Sequence, residues 1–356
     1  MPFYCGVPSG LTHSSSRHFL LRLPGGILPV HIGISLILAA PLVGALCQNA
    51  IGNTAIVDAG APAEVPQTSA TTPPPPDAQP QRLTTDGSYK YHLQWSPDGQ
   101  TLLFTRIHEG RMALWTIPAT GGPMKRLLPA HKEPHFDGHF SPDGQRIVYV
   151  YDRLEGTDGK LQINVCNADG SNDQVLIPHQ AFEESPRFHP LKPLILWVST
   201  RNKSPDLYTV DGEGKNEKRL TNHPALDLHP AWSPDGQQIA FSSNRNGRQK
   251  IYLMQANGEK VRQLTDGDGL DAWPAWRPDG QWIAFVSHRS GNYDLWAIQP
   301  DGQNLRQLTR HPAHDTFPAW SPDGRRLAFI STRHGGSDIY VLSLEGILPS
   351  PASQSK

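Results

Sequence analysis

The chain has 356 residues, 18% of them charged, and a formal net charge of −1. So balanced a surface excludes a nucleic-acid binder built on a concentrated basic patch, which needs gathered Lys and Arg to displace counterions. Its three cysteines give no disulfide framework, and 32 glycines with 34 prolines favour short strands and tight turns.

From the N-terminus, Arg17 and Arg22 precede a stretch from Ile27 to Cys47 with no formally charged residue. Basic residues followed by an apolar run are the layout of an export signal, so residues 1–47 are expected to direct secretion or anchor the chain. Three fates stay open: cleavage after Ala45, with Val43 and Ala45 as the small residues; retention as a membrane anchor, weakened by Pro29, His31 and Pro41; or acylation at Cys47. Residues 48–80 follow, including Thr71-Thr72-Pro73-Pro74-Pro75-Pro76. With few large apolar side chains this stretch cannot build a core and reads as a disordered, proline-rich linker.

One phrase then recurs: Trp95-Ser-Pro-Asp-Gly99, Phe140-Ser-Pro-Asp-Gly144, Trp232-Ser-Pro-Asp-Gly236, Trp276-Arg-Pro-Asp-Gly280 and Trp320-Ser-Pro-Asp-Gly324, with a degenerate copy at Phe188-His-Pro-Leu-Lys192. The aromatic positions lie 45, 48, 44, 44 and 44 residues apart. Six copies at that period predict a propeller in which each repeat is one four-stranded blade. Within a period, proline presets the turn and glycine accepts a positive φ. An apolar strand such as Gln238–Ser242 follows, then a third strand such as Lys250–Met254, a Gly turn at Asn257-Gly258, and a fourth strand at Val261–Thr265. Cys166 falls inside such a strand as a small core side chain.

The sixth repeat runs out after Asp338–Leu342 without a fourth strand, whereas an orphan copy, Gln81-Arg-Leu-Thr-Thr85, precedes the first repeat. The N-terminal strand is therefore expected to complete the last blade, giving an all-β, six-bladed propeller over residues 81–345 with a disordered tail at 346–356. Closure leaves no open sheet edge, consistent with a monomer.

The order Leu-Thr, Pro-Ala-Trp-Ser-Pro-Asp-Gly, Ile-Ala-Phe, Ser-x-Arg and Asp-Ile-Tyr resembles the TolB-like, WD-like propellers of bacterial periplasmic proteins. The resemblance covers about Gln81 to Ser343. It implies a non-catalytic interaction protein of the cell envelope, of the Tol-Pal kind, that is periplasmic or secreted and tethered to the inner membrane if the N-terminal segment is retained. TolB itself resembles a two-domain protein with an α/β domain ahead of the propeller, where this chain has the proline-rich linker.

Loops on a rigid scaffold carry function, so the crossings between blades hold the candidate site. Five positions before the aromatic of each repeated phrase stand Lys90, His135, Glu183, Asp227, Asp271 and Asp315; three positions before it stand His92, Asp137, Ser185, His229, Trp273 and Phe317. Both sets are expected around the channel on the crossing face, where His135, Glu183, Asp227, His229, Asp271, Trp273, Asp315 and Phe317 would meet an envelope protein or peptide. The four carboxylates could attract a divalent cation or a basic group, or each could close its own loop. A second ring, Arg106, Arg153, Arg201, Arg245, Arg289 and Arg333, is expected to pair with an Asp five residues on (Asp206, Asp294, Asp338). Lys250 in blade four would leave Arg245 for a partner's carboxylate.

The sequence lacks a Gly-x-Ser-x-Gly elbow, phosphate loop, dinucleotide fingerprint, Cys-x-x-Cys and His-Glu-x-x-His. Histidines are the one enzymatic opening: His131, His135 and His139, then His223 and His229, then His311 and His314 lie in three crossings. Seven-bladed oligogalacturonate lyases resemble this family and use such a metal site for β-elimination. The alternative function is therefore a metal-dependent polysaccharide lyase.

Overall fold

The computed structural model describes residues 20–23, 26–29, 79–153 and 161–351. Every regular element among them is a strand. Leu20–Leu23 and Gly26–Pro29 form an antiparallel pair by themselves; the rest of the expected export segment, and the linker up to residue 78, lie outside the described residues. Among the described residues no helix is long and apolar enough to cross a membrane.

Six four-stranded antiparallel sheets follow, each ordered A-B-C-D. Strands A are Lys90–Trp95, His135–Phe140, Glu183–Phe188, Asp227–Trp232, Asp271–Trp276 and Asp315–Trp320, and B, C and D follow in turn, in blade four as Gln238–Ser243, Lys250–Gln255 and Arg262–Gln263. Strand B of each blade carries one wholly buried aromatic ring at its centre: Phe104, Tyr149, Trp197, Phe241, Phe285 or Phe329. These rings fill the space between adjacent blades, so the core is a chain of interblade layers rather than one central mass.

The Ser-Pro-Asp-Gly turns hold by the chemistry their residues carry. Ser96 Oγ donates to Asp98 Oδ1 at 2.5 Å, Gln100 N donates to the same oxygen, and Thr101 N donates to Ser96 Oγ. In the degenerate third copy His189 does this work, its Nδ1 accepting from the N–H groups of Leu191 and Lys192. In the fifth copy Arg277 replaces serine and forks onto Asp279 at 2.8 and 2.6 Å.

Blade six is completed by Gln81–Arg82, which pairs with Asp338–Ser343 through Arg82 opposite Tyr340 and Gln81 opposite Val341. The ring is thus a closed six-bladed propeller sealed by its N-terminal strand, as the orphan repeat predicts. Trp95 of blade one also reaches across the seam, donating from Nε1 to Ala319 O at 3.0 Å. Past blade six the chain differs from the expected loose tail: Ile347 and Leu348 are buried, and Arg277 Nη1 donates to Pro349 O at 2.9 Å. Residues 352–356 lie outside the described residues.

Candidate functional site: a funnel on the turn face

Every strand A breaks register after its second residue, and its third residue takes a left-handed backbone: His92, Asp137, Ser185, His229, Trp273 and Phe317, with φ between 49° and 53°. Away from glycine that conformation costs roughly 1–3 kcal/mol each and persists only where the surrounding fold enforces it. The bulge turns these six side chains toward the ring axis, where they meet. Ring centroids of His229 and Trp273 are 4.8 Å apart, of Trp273 and Phe317 5.0 Å, and of Phe317 and His92 5.3 Å. His92 Nε2 stands 4.0 Å from Asp137, which takes Arg187 Nη1 at 2.9 Å.

This layer is the floor of a funnel of about 560 Å³, within the ordinary range for ligand sites. Its walls are the strand-A aromatics and the turn prolines of all six blades, from Trp95 and Pro97 round to Trp320 and Pro322. Strand A runs toward the Ser-Pro-Asp-Gly turn, so the funnel opens on the turn face. That corrects the expected mouth on the crossing face: the bulge, which no glycine marks in the sequence, aims the third residue of strand A at the turn side.

The first-position residues fare differently. Glu183, Asp227, Asp271, Asp315 and His135 are wholly buried at the base of strand A, away from the funnel wall. Each of the four carboxylates takes the strand-B arginine of its own blade: Arg201 on Glu183 at 2.9 Å, Arg245 on Asp227 at 2.9 Å, Arg289 on Asp271 at 2.9 Å and Arg333 on Asp315 at 2.9 Å. The same guanidinium lies over two aromatic rings of strands B and C, as Arg333 does over Phe329 and Tyr340. Arg245 is therefore not left for a partner. The strand-C carboxylates expected to pair with these arginines bond strand D instead: Arg82 and Thr84 on Asp338, Arg219 and Thr221 on Asp206, Gln307 on Asp294. The outcome follows from sheet geometry. The first residue of strand A lies opposite the last residue of strand B, as Asp227 does Ser243, which puts the arginine two residues on within reach, whereas the five-residue neighbour faces outward to strand D.

The candidate metal-binding histidines do not converge. His139 and His229 line the funnel, His135 is buried beside His131 with ring centroids 5.8 Å apart, and His223 and His311 accept from the N–H groups of Ala225 and Ala313. Among the described residues no group of three His, Cys, Asp or Glu side chains could hold a metal ion.

Burial sets the charge state of the funnel. It pushes His229 down to about 3 and His139 to about 3, with the nearby Arg187 adding to both, and it lowers His92 as well. Outside the funnel burial takes His135 down to about 4. Burial alone would raise Asp137, but Arg187 and His92 bring it down to about 2. At neutral pH the floor is a set of neutral imidazoles around one ion pair. Two of its nitrogens, His229 Nε2 and Trp273 Nε1, are buried without a hydrogen-bond partner. Ser242 Oγ lies 3.3 Å from His229 Nδ1; when the hydroxyl donates there, Nε2 carries the ring's proton. These histidines stay neutral in the fold while unfolded ones protonate near 6.5, so stability falls as pH drops from about 6.5 toward 4. Thermal melts between pH 7 and 4 should show this, and His229→Gln should flatten the slope; an unchanged slope would place the protons elsewhere.

The sequence profile of the TolB beta propeller domain matches residues 76–223, 145–302 and 269–353. The Tol-Pal system protein TolB of Anaeromyxobacter dehalogenans (strain 2CP-C) is 31% identical over 106 residues, 30% of this chain and 23% of that protein. The aligned part thus spans under a quarter of that relative's length. Among solved structures, TolB from Acinetobacter baumannii superposes with a TM-score of 0.55 at 22% identity, covering 71% of this chain and 63% of that one. Oligogalacturonate lyase from Vibrio parahaemolyticus gives 0.54 at 13% identity, covering 77% and 96%. At these identities both share the fold alone.

Proposed function

We propose that this chain, which belongs to the TolB beta propeller domain family, uses the turn-face funnel to dock a protein or peptide partner in the cell envelope without catalysing a reaction. The observation that carries the reading is the strained floor. Six left-handed residues are held at the axis, among them Trp273 and Phe317, and they leave two buried nitrogens unsatisfied. A fold spends strain and unpaired donors where something binds. Rigid aromatic anchors in a concave, water-poor pocket are also the usual centre of binding energy.

The rim supports the same reading. Five blades place an Asp-Gly turn beside the funnel, whereas blade three places Leu191, 73% exposed, and Lys192 there. A ring with one odd blade can fix the rotational register of what it binds. The relative from Anaeromyxobacter is named for the Tol-Pal system, and a periplasmic location with an envelope partner is the corresponding proposal here. The base-of-strand positions Glu183, Asp227, Asp271, Asp315, His135 and Arg245 act in this proposal as the frame behind the funnel. His229, Trp273 and Phe317 supply contact.

The alternative of a metal-dependent lyase has the shared fold in its favour but no assembled ligand set among the described residues. Its test is metal analysis of the purified protein alongside an ultraviolet assay for unsaturated uronates. For the docking reading, Trp273→Ala should weaken partner binding at least about 30-fold, as expected of a buried aromatic hot spot worth about 2 kcal/mol. The check is the yield of a photocrosslink placed at position 191; an undiminished yield in Trp273→Ala would reject the funnel as the site.

A further inference from the structure

We propose that the segment received by the funnel is proline-rich and extended, an apolar strand that brings hydrogen-bond acceptors and few donors; this rests on the docking reading above. The floor offers donors in excess. Trp273 Nε1 is a buried N–H with no acceptor, His229 Nε2 is a buried nitrogen with no partner, and Arg187 stands beside them with one of its bonds made to Asp137. The one carboxylate of the floor is already engaged by Arg187 and faced by His92. An occupant that brought its own N–H groups would find no free carboxylate there.

The walls exclude most other acceptors. Aromatic rings and six prolines, one from each turn, make up most of them, with Gln94, His139 and the turn serines Ser96, Ser141 and Ser233 between, so a hydrated anion would exchange much of its water for apolar surface. The floor also carries no surplus positive charge to compensate an anion, because its imidazoles are neutral and its guanidinium is paired. What fits is a neutral acceptor on an apolar body. A run of prolines is such a ligand: each residue has a carbonyl but no N–H, and its polyproline II conformation is formed before binding. Aromatic-lined grooves with indole donors are the general means by which such segments are held.

The six-fold arrangement adds a second reason. Polyproline II has three residues per turn and no internal hydrogen bonds, so its carbonyls point outward all round the axis. A strand entering along the ring axis presents acceptors to donors on separate blades, and His229 and Trp273 sit on neighbouring ones.

The test is a titration of the full chain with acetylated, amidated hexaproline, followed by tryptophan fluorescence and calorimetry. A valine–threonine hexapeptide of similar size, which carries backbone donors, is the control. The expected result is one-to-one binding of hexaproline, with the control at least tenfold weaker. Trp273→Phe keeps the ring but removes the N–H, and should weaken hexaproline about tenfold; His229→Phe should act in the same direction. Equal binding of both peptides, or hexaproline binding unchanged in both variants, would overturn the proposal. If hexaproline does not bind while the crosslink from position 191 survives, the ligand class is wrong and the docking reading stands. If the crosslink also fails, the docking reading falls with it.

Discussion

Deleting residues 1–85, which removes the closing strand, is expected to lower the melting temperature by roughly 10 °C or more and to broaden the transition. Deleting only residues 1–78 should leave it within a few degrees. The difference resides in seven residues at the seam. Arg82 Nη2 donates to Asp338 at 2.6 Å and Thr84 Oγ1 donates to the other oxygen at 2.8 Å. Leu83 N donates to Ile339 O at 2.8 Å, and Ile339 N to Thr84 Oγ1 at 2.9 Å. Asp338 is wholly buried, so removing these partners leaves its charge with Lys90 Nζ at 3.5 Å and Gly87 N at 3.4 Å. Breaking a buried ion pair from one side costs about 3–5 kcal/mol, before the exposed edge of strand C is counted. Circular dichroism melts of the two deletions decide it, and equal melting temperatures would contradict the seam.

Arg333→Ala should lower stability by about 3–5 kcal/mol in urea unfolding. Both oxygens of the wholly buried Asp315 face Arg333 Nη2, at 3.0 and 2.9 Å. Truncation would strand that carboxylate and also remove a cation lying 4.7 Å from the Tyr340 ring centroid. Arg289→Ala should cost less, because Asp271 keeps Ser287 at 2.6 Å and Lys250 at 3.3 Å. If Arg333→Ala cost under 1 kcal/mol, the ring of arginines would not be part of the frame. Asp271→Ala and Asp315→Ala are poor probes of partner binding for the same reason, since their first effect falls on the fold.

The architecture was legible because its signals are local. A turn phrase of five residues, repeated at a near-constant period, states where each strand A ends and how many blades there are. The seam could be read from Gln81-Arg-Leu-Thr-Thr85, a fourth-strand phrase standing one blade early. The site was harder because its signals are long-range or silent. The acid and arginine of one blade lie 18 residues apart and meet only through the A–B register, so sequence proximity favoured the wrong strand-C aspartate. The left-handed bulge falls on His92, Asp137, Ser185, His229, Trp273 and Phe317, a mixed set without the glycine that usually announces positive φ. Its six-fold recurrence at a fixed offset from the strand-A aromatic was the available clue: variable residues in an otherwise repetitive strand.

Binding on the turn face of the ring can be tested from both sides with a photocrosslinker. Position 191 lies in the blade-three turn beside the funnel, whereas position 226, also exposed, lies in a crossing on the opposite face. With the full chain in its native envelope, position 191 should give one discrete adduct that is lost in Trp273→Ala, and position 226 none. An adduct from position 226 with none from position 191 would put the partner on the crossing face and rule out the funnel as its site.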